Sequence, residues 1–595
     1  MKEEDSQSTP QPESPGRNLP GDRFILLVLA AAVLLRLVYV FEIMGGPCPE
    51  TYQNTDSDMN FFLMQGRIIA KGDWLQDRSL HPYASWQQRM AQEYFAHLAK
   101  ETGEAEPPAD HARNRQLWDE WYGGKTYHQE PLYAYLLAIL HALTGQEMLL
   151  AYLIQSLAGL ATILLLYDVA RQLFGMGTAR VTAVLALLHG PMIFYETLLL
   201  RASLIALISI LVVWLTLRAR EHGRLAGWIV VGLAGGASML LKSTFLLYFA
   251  GIGCLLLLDR PLRMRRVVLC GSAMAAGLAI ALLPLMARNL TVGLPPLKMG
   301  SVTPITFLAA NLPEQERMFA SEDISIIMGE TNGETLPIIK AVWRENTIGS
   351  LAATVMEKAQ QVLHWYEIPN NNNVYFNALY SNVLRWLPAT PHLLMALALP
   401  GLFLSWRRWR TTAPLILMAA SHLATLLIAY ALARYRFPMV VCIIPFAAYT
   451  LVCGYTYLKT KQYRPGLVTV LSCILVFAYI GRPLPADRTL VRPSDVLLSQ
   501  IAYYSMYLSI AEEQEDWQTM TRLWERFLEA TPSSVRRMED GHPPRNSHEE
   551  ELAGIFAKAY RDYSDVLQKA GRPEAATAAR HAGAALEEVV ALPRP

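Results

Sequence analysis

The chain has 595 residues, of which 52% are hydrophobic and 17% charged, and its formal net charge is +1. A charged fraction well below the roughly 25% of soluble domains excludes a purely soluble protein, and nothing in the balance calls for nucleic acid. Apolar runs long enough to cross a bilayer recur between residues 24 and 481, the pattern of an all-α polytopic membrane protein.

Residues 1–22 are polar and Pro/Ser-rich and are expected to form a disordered cytoplasmic tail. The apolar run behind them is long and lacks a small-residue cleavage site, so it reads as an uncleaved first span, 24–44. Further spans are expected at 147–170, 179–195, 198–217, 225–241, 244–258, 267–287, 386–405, 412–432, 436–457 and 465–481. The segment "PLYAYLLAILHAL", 131–143, is not counted among them. Thirteen helical residues cover about 20 Å, short of a hydrocarbon core of roughly 30 Å. If it does not span, the basic loops "RQLFGMGTAR", "RAREHGR", "DRPLRMRR", "SWRRWR" and "KTKQYR" all fall on the side of the N-terminus, as the positive-inside rule prefers. It is then an interfacial helix on the outer leaflet.

The expected architecture has about eleven spans in residues 23–482, in a cell's inner (plasma) membrane. The N-terminus is cytoplasmic and the C-terminus outside or periplasmic. Segments 45–146 and 291–385 form large outer loops. Residues 483–595 read as a soluble helical domain whose hairpins, Ala502–Pro532 and Ala557–Leu586, resemble tetratricopeptide repeats and suit a protein partner. Five of the six cysteines lie in spans and only Cys48 in a loop, which gives neither a disulfide framework nor metal spacing.

Charges at the outer boundary are the informative exceptions, because Lys and Arg are disfavoured there and inside spans. Lys242 interrupts "MLLKSTFLLY", Arg288 ends "ALLPLMARN", and Arg434 and Arg436 sit in "ALARYRFP". Each alone could snorkel, as Arg36 in the first span could; together they point to a shared anion, and a lipid phosphate fits. On the same face, "NTDSDMNFF" carries Asp56 and Asp58. The bland reading of "DSD" before an apolar helix is an N-cap. The functional reading is a carboxylate that takes a proton from a hydroxyl beside cations that stabilise a departing phosphate. Asp58 is one candidate base; Asp56 could orient it, share a divalent metal with it, or be the base itself.

Five stretches in fixed order now resemble a known family. They are Asp56 and Asp58 followed by "AKGDW"; "YHQEPLYAYLLAILHALTG"; "YDVARQLFGMGTARVTAVLALLHGPMIFYE"; "LPLMARN" with Asn311 beyond it; and "RYRFP". Across residues 24 to about 460 the chain resembles integral-membrane glycosyltransferases of the GT-C superfamily, such as the protein O-mannosyltransferases and the lipid A aminoarabinose transferase. The resemblance implies a GT-C-like bundle and a polyprenyl-phosphate sugar donor. It implies Asp58, or Asp56, as catalytic aspartate and Glu196 as a second acid, with Arg434 and Arg436 near the lipid phosphate. Arg201 stands where some relatives have their acid, a departure that bears on Glu196. "HQEPL" departs from the family's usual entry, so His128 or Glu130 could take over acceptor or phosphate contacts. An oxygen-ligand site for Mg²⁺ or Mn²⁺ could form from Asp56, Asp58 and Glu196. In the second outer loop, "HWYEIPNNNNVYF" offers Glu367 and Asn371 for a substrate, or else is a turn-rich surface.

The expected function is therefore inverting sugar transfer from a polyprenyl-phosphate donor to an acceptor hydroxyl at the outer face. The rivals are a lipid or oligosaccharide flippase and an envelope polysaccharide ligase. The sequence names neither sugar nor acceptor.

Overall fold

A computed structural model describes residues 22–83, 85–105, 107–108, 110–258, 264–312, 322–482 and 493–592. Residues 1–21 of the expected N-terminal tail and part of the basic loop 259–266 lie outside them. The described chain is helical without strands, and it divides into two units, Met1–Arg492 and Pro493–Pro595.

The first unit begins with α1 (Arg23–Ile43), capped by the Asp22 carboxylate, and continues with α2 (Asp58–Ala70). Beyond two helices of the outer segment, Ser85–Thr102 and His111–Trp121, comes α3 (Leu132–Thr144), the short apolar helix expected at the interface, closed by Gly145 at φ 68°. α4 (Glu147–Phe174) follows, then the bent pair α5 (Met176–Leu187) and α6 (Gly190–Glu196). Sequence periodicity treats 179–195 as one span; the structure breaks it by 54°. Pro191 in the first turn of α6 cannot continue the helix before it, and buried His189 at the break is tied by Nδ1 to the Ala389 carbonyl at 2.6 Å. α7 (Ala202–His222), α8 (Leu225–Leu241), α9 (Leu246–Leu258) and α10 (Met264–Thr291) complete the first half. Gly232 and Gly277 let α8 and α10 approach backbone to backbone, since a Cβ at either would strike the other helix's carbonyl.

The second half contains α11 (Ile348–Leu363), α12 (Pro391–Leu404), α13 (Trp409–Ile428), α14 (Ala433–Lys459) and α15 (Tyr463–Gly481). Among the described residues, eight helices are long and apolar enough to cross a membrane, or nine with the bent pair as one span. The other two expected spans are present as the shorter apolar helices α8 and α9. α14 is the most enclosed span, and Val441, Ile444 and Phe446 on it join Leu166, Ile210 and Val213 in the core. Leu26, Leu34, Phe41, Leu467, Leu471 and Leu475 stay exposed on α1 and α15, as lipid-facing residues do.

In the second unit, α16 (Pro493–Glu513), α17 (Trp517–Glu529), α18 (Ser533–Glu539), α19 (Ser547–Lys569) and α20 (Pro573–Val590) pack around Tyr504, Phe527 and Phe556. The helices of both expected hairpins are there, and α18 lies between them. The tetratricopeptide likeness stays an expectation.

Candidate active site

Asp58 opens α2, but it does not cap it. Ser57 Oγ accepts from the Asn60 amide at 3.2 Å and fills the capping role. The Asp58 carboxylate, in the first turn where the helix dipole favours an anion, is left to other partners. Gly66 then lets α2 lie close on α3, where a Cβ would come within 2.8 Å of Leu137 Cβ. That packing sets "HQEP", just ahead of α3, against the start of α2: Phe61 meets His128 edge to face at 5.0 Å.

Three segments converge on the carboxylate. Gln129 Nε2 donates to Asp58 Oδ1 at 2.5 Å, and Asn371 Nδ2 donates to Oδ2 at 2.7 Å. Arg434, at the start of α14, forms an ion pair with Oδ2. Arg201, just before α7, donates to Gln129 Oε1 at 2.8 Å, to Glu130 Oε2 at 2.6 Å and to the Leu241 carbonyl at 2.6 Å. Glu130 Oε1 also accepts from Ser243 through both N (2.8 Å) and Oγ (2.7 Å). Lys242 Nζ and Arg434 Cζ both lie over the Tyr435 ring, at 4.1 and 4.6 Å. The Asp58 and Arg434 side chains keep 20% and 15% of their exposure, so the cluster is not fully enclosed.

The electrostatics follow from these contacts. Burial is the largest single influence on Asp58 and would raise its pKa, but the Arg434 charge and hydrogen bond, with further charges such as Arg201, together outweigh it and bring the group to about 2. Glu130 behaves alike: burial pushes up, Arg201 and the Ser243 donors pull down, and the net shift is downward. Burial lowers His128 to about 4, so its imidazole is neutral at pH 7. Burial raises Glu367 despite its Arg436 partner.

Other residues singled out in the sequence have different surroundings. Arg288 spends its guanidinium on the carbonyls of Leu75, Gln76 and Lys125 and stacks over Tyr127, fastening the 45–146 segment. Arg436 binds the carbonyls of Val362, His364 and Tyr366 and the Glu367 carboxylate at 2.6 Å, fastening the 291–385 segment. Glu196 is held by Arg36 through two contacts of 2.6 and 2.7 Å, and Asp56 is exposed. Among the described residues no three His, Cys, Asp or Glu side chains are placed to hold a metal ion. Asp56, Asp58 and Glu196 do not form such a set. Gln129, Arg201, Ser243 and Tyr435 were not among the sequence candidates. The usable signal was Arg201, a cation ending an apolar run much as Lys242 does.

These features define a multi-pass α-helical membrane protein with a charged cluster where its spans meet two long connecting segments. Residues 128–287, which include Gln129, Glu130, Arg201 and Lys242, match the family of dolichyl-phosphate-mannose-protein mannosyltransferases. The chain thus resembles the GT-C superfamily of integral-membrane glycosyltransferases. Among solved structures, the Archaeoglobus fulgidus oligosaccharyltransferase in its apo form aligns at 12% identity and TM-score 0.39 over 84% of this chain. The chain spans only about 60% of that protein's length. ArnT from Cupriavidus metallidurans bound to undecaprenyl phosphate aligns at 14% identity and TM-score 0.28, over 74% of this chain and 81% of that one. No curated protein matches the chain.

Proposed function

We propose that the protein is an inverting glycosyltransferase that moves a sugar from a polyprenyl-phosphate donor to an acceptor hydroxyl at the non-cytoplasmic face of the membrane. The observation that carries this reading is the convergence of Asp58 with Gln129, Asn371 and Arg434 beside Arg201 and Lys242. The family match over 128–287 agrees with it. Arg434 and Arg201 offset Asp58 and Glu130, and Lys242, when protonated, adds one positive charge beside them. A sugar phosphodiester carries one negative charge and balances it.

In this scheme the donor phosphate lies against Lys242 and Arg434, and the polyprenyl chain stays in the bilayer. The acceptor hydroxyl donates to the Asp58 carboxylate. Its oxygen attacks the anomeric carbon from the face opposite the phosphate, the bond from that carbon to the phosphate oxygen breaks, and the proton passes to Asp58. A single displacement inverts the anomeric centre. Lys242 and Arg434 stabilise the charge that develops on the leaving phosphate. No step is routed through a metal, and Asp56 has no part in it.

The test is sugar transfer by Asp58→Asn. A general base contributes about 10²–10⁴ in rate, so transfer should fall by that factor while the protein still folds. A folded variant that transfers at the wild-type rate overturns the assignment.

A further inference from the structure

We infer that Arg434 serves two anions in turn: it pairs with Asp58 until a phosphate group arrives, and then exchanges the carboxylate for the phosphate. This rests on the donor chemistry proposed above and adds to it a link between donor binding and release of the base.

Three observations carry the inference. First, Arg434 is incompletely satisfied. One terminal nitrogen meets Asp58 and the other donates to Tyr435 Oη at 2.7 Å, but Nε is buried without a partner. A buried guanidinium N–H with no acceptor is a donor held for something else. Second, Lys242 shares the Tyr435 ring with Arg434, and its side chain makes no hydrogen bond or ion pair among the described residues. An anion entering beside that ring therefore meets one uncommitted ammonium and one guanidinium with a free N–H.

Third, the two carboxylates of the cluster are anchored differently. Glu130 takes three donor contacts, two from Ser243 and one from Arg201, and Arg201 is itself fixed to the Leu241 carbonyl. Asp58 is oriented on both oxygens by the neutral amides of Gln129 and Asn371, so it keeps its place when Arg434 leaves. Loss of the guanidinium then removes the charge that holds its proton affinity down. Paired with Arg434, Asp58 is a weak base; released from it, beside a bound phosphate, it is a stronger one. The donor thereby turns on the group that will deprotonate the acceptor.

Exchange makes an unusual prediction for binding. A protein whose Arg434 is engaged elsewhere binds phosphate with an affinity reduced by the fraction of time the arginine is free. Removing the Asp58 charge should therefore tighten binding. The experiment measures the affinity of the full-length protein, in nanodiscs, for a polyprenyl monophosphate and for inorganic phosphate. It compares wild type, Asp58→Asn, Arg434→Gln and the double variant, with Asp58→Ala as a second way to remove the charge.

Asp58→Asn should bind the lipid phosphate about tenfold tighter than wild type. Arg434→Gln should bind it more weakly, and the double variant should show no gain over Arg434→Gln alone. That last comparison separates exchange from simple repulsion between Asp58 and phosphate, which would persist without Arg434. Inorganic phosphate should gain by a similar factor; a gain for the lipid alone would trace the effect to the tail and overturn the exchange. Folded Asp58→Asn and Asp58→Ala that bind no tighter than wild type also overturn it, with the proposed function left standing. If wild type binds neither probe, it is the proposed function that fails.

Discussion

Ser57 and Asp58 divide two tasks that the sequence leaves joined. "DSD" ahead of an apolar helix is a capping signal, and Ser57 does the capping while Asp58 turns to Gln129, Asn371 and Arg434. A carboxylate whose folded pKa is depressed stabilises the fold above its unfolded value, near 3.9. That contribution is lost as pH falls through about 2. Wild-type melting temperature should therefore drop between about pH 4 and pH 2 by more than that of Asp58→Asn, measured on the same preparation. Equal slopes would remove Asp58 from the set of paired acids. Lys242, Arg288, Arg434 and Arg436 look alike in the sequence, each a cation at a boundary. Only the fold separates them, because the carbonyls that occupy Arg288 and Arg436 come from far along the chain. Gln129 left no charge to notice, and Arg201 read as a departure from a pattern when it is the residue that fixes Gln129 and Glu130.

The spans were legible from length and hydropathy, and so was the short α3. The break between α5 and α6 was not, although "HGP" marks it, because hydropathy averages over a bend. Arg36 likewise could pass for a snorkelling side chain. It is buried and joins α1 to α6 through Glu196, with Gly159 giving the pair its room, since a Cβ there would collide with both side chains. Breaking such a pair on one side strands the other charge at a cost of about 3–5 kcal/mol. Arg36→Met should lower thermal stability accordingly, and Arg36→Met with Glu196→Met should recover most of the loss. If the double variant melts no higher than the single, the pair is not what couples these helices.

At the scale of the whole chain, composition divides at about residue 483, and the chain falls into two units whose sequence boundary follows residue 492. The second has its own aromatic core in Tyr504, Phe527 and Phe556, and every residue of the charged cluster belongs to the first. A chain ending at Arg492 should keep wild-type affinity for polyprenyl phosphate and the melting transition of the membrane unit. Loss of either would mean that Pro493–Pro595 supports the site. The sequence could not bring Asp58 and Asn371 together, because 313 residues separate them and no local signal spans that distance.

The Asn371 amide and Arg434 occupy the same Asp58 oxygen, while Gln129 takes the other. While Arg434 is paired, a stray water reaching this carboxylate finds three of its roughly four lone-pair sites engaged and a weak base, and so is not readily activated there. An enzyme arranged in this way is guarded against squandering an activated sugar by hydrolysis while it waits for the proper acceptor.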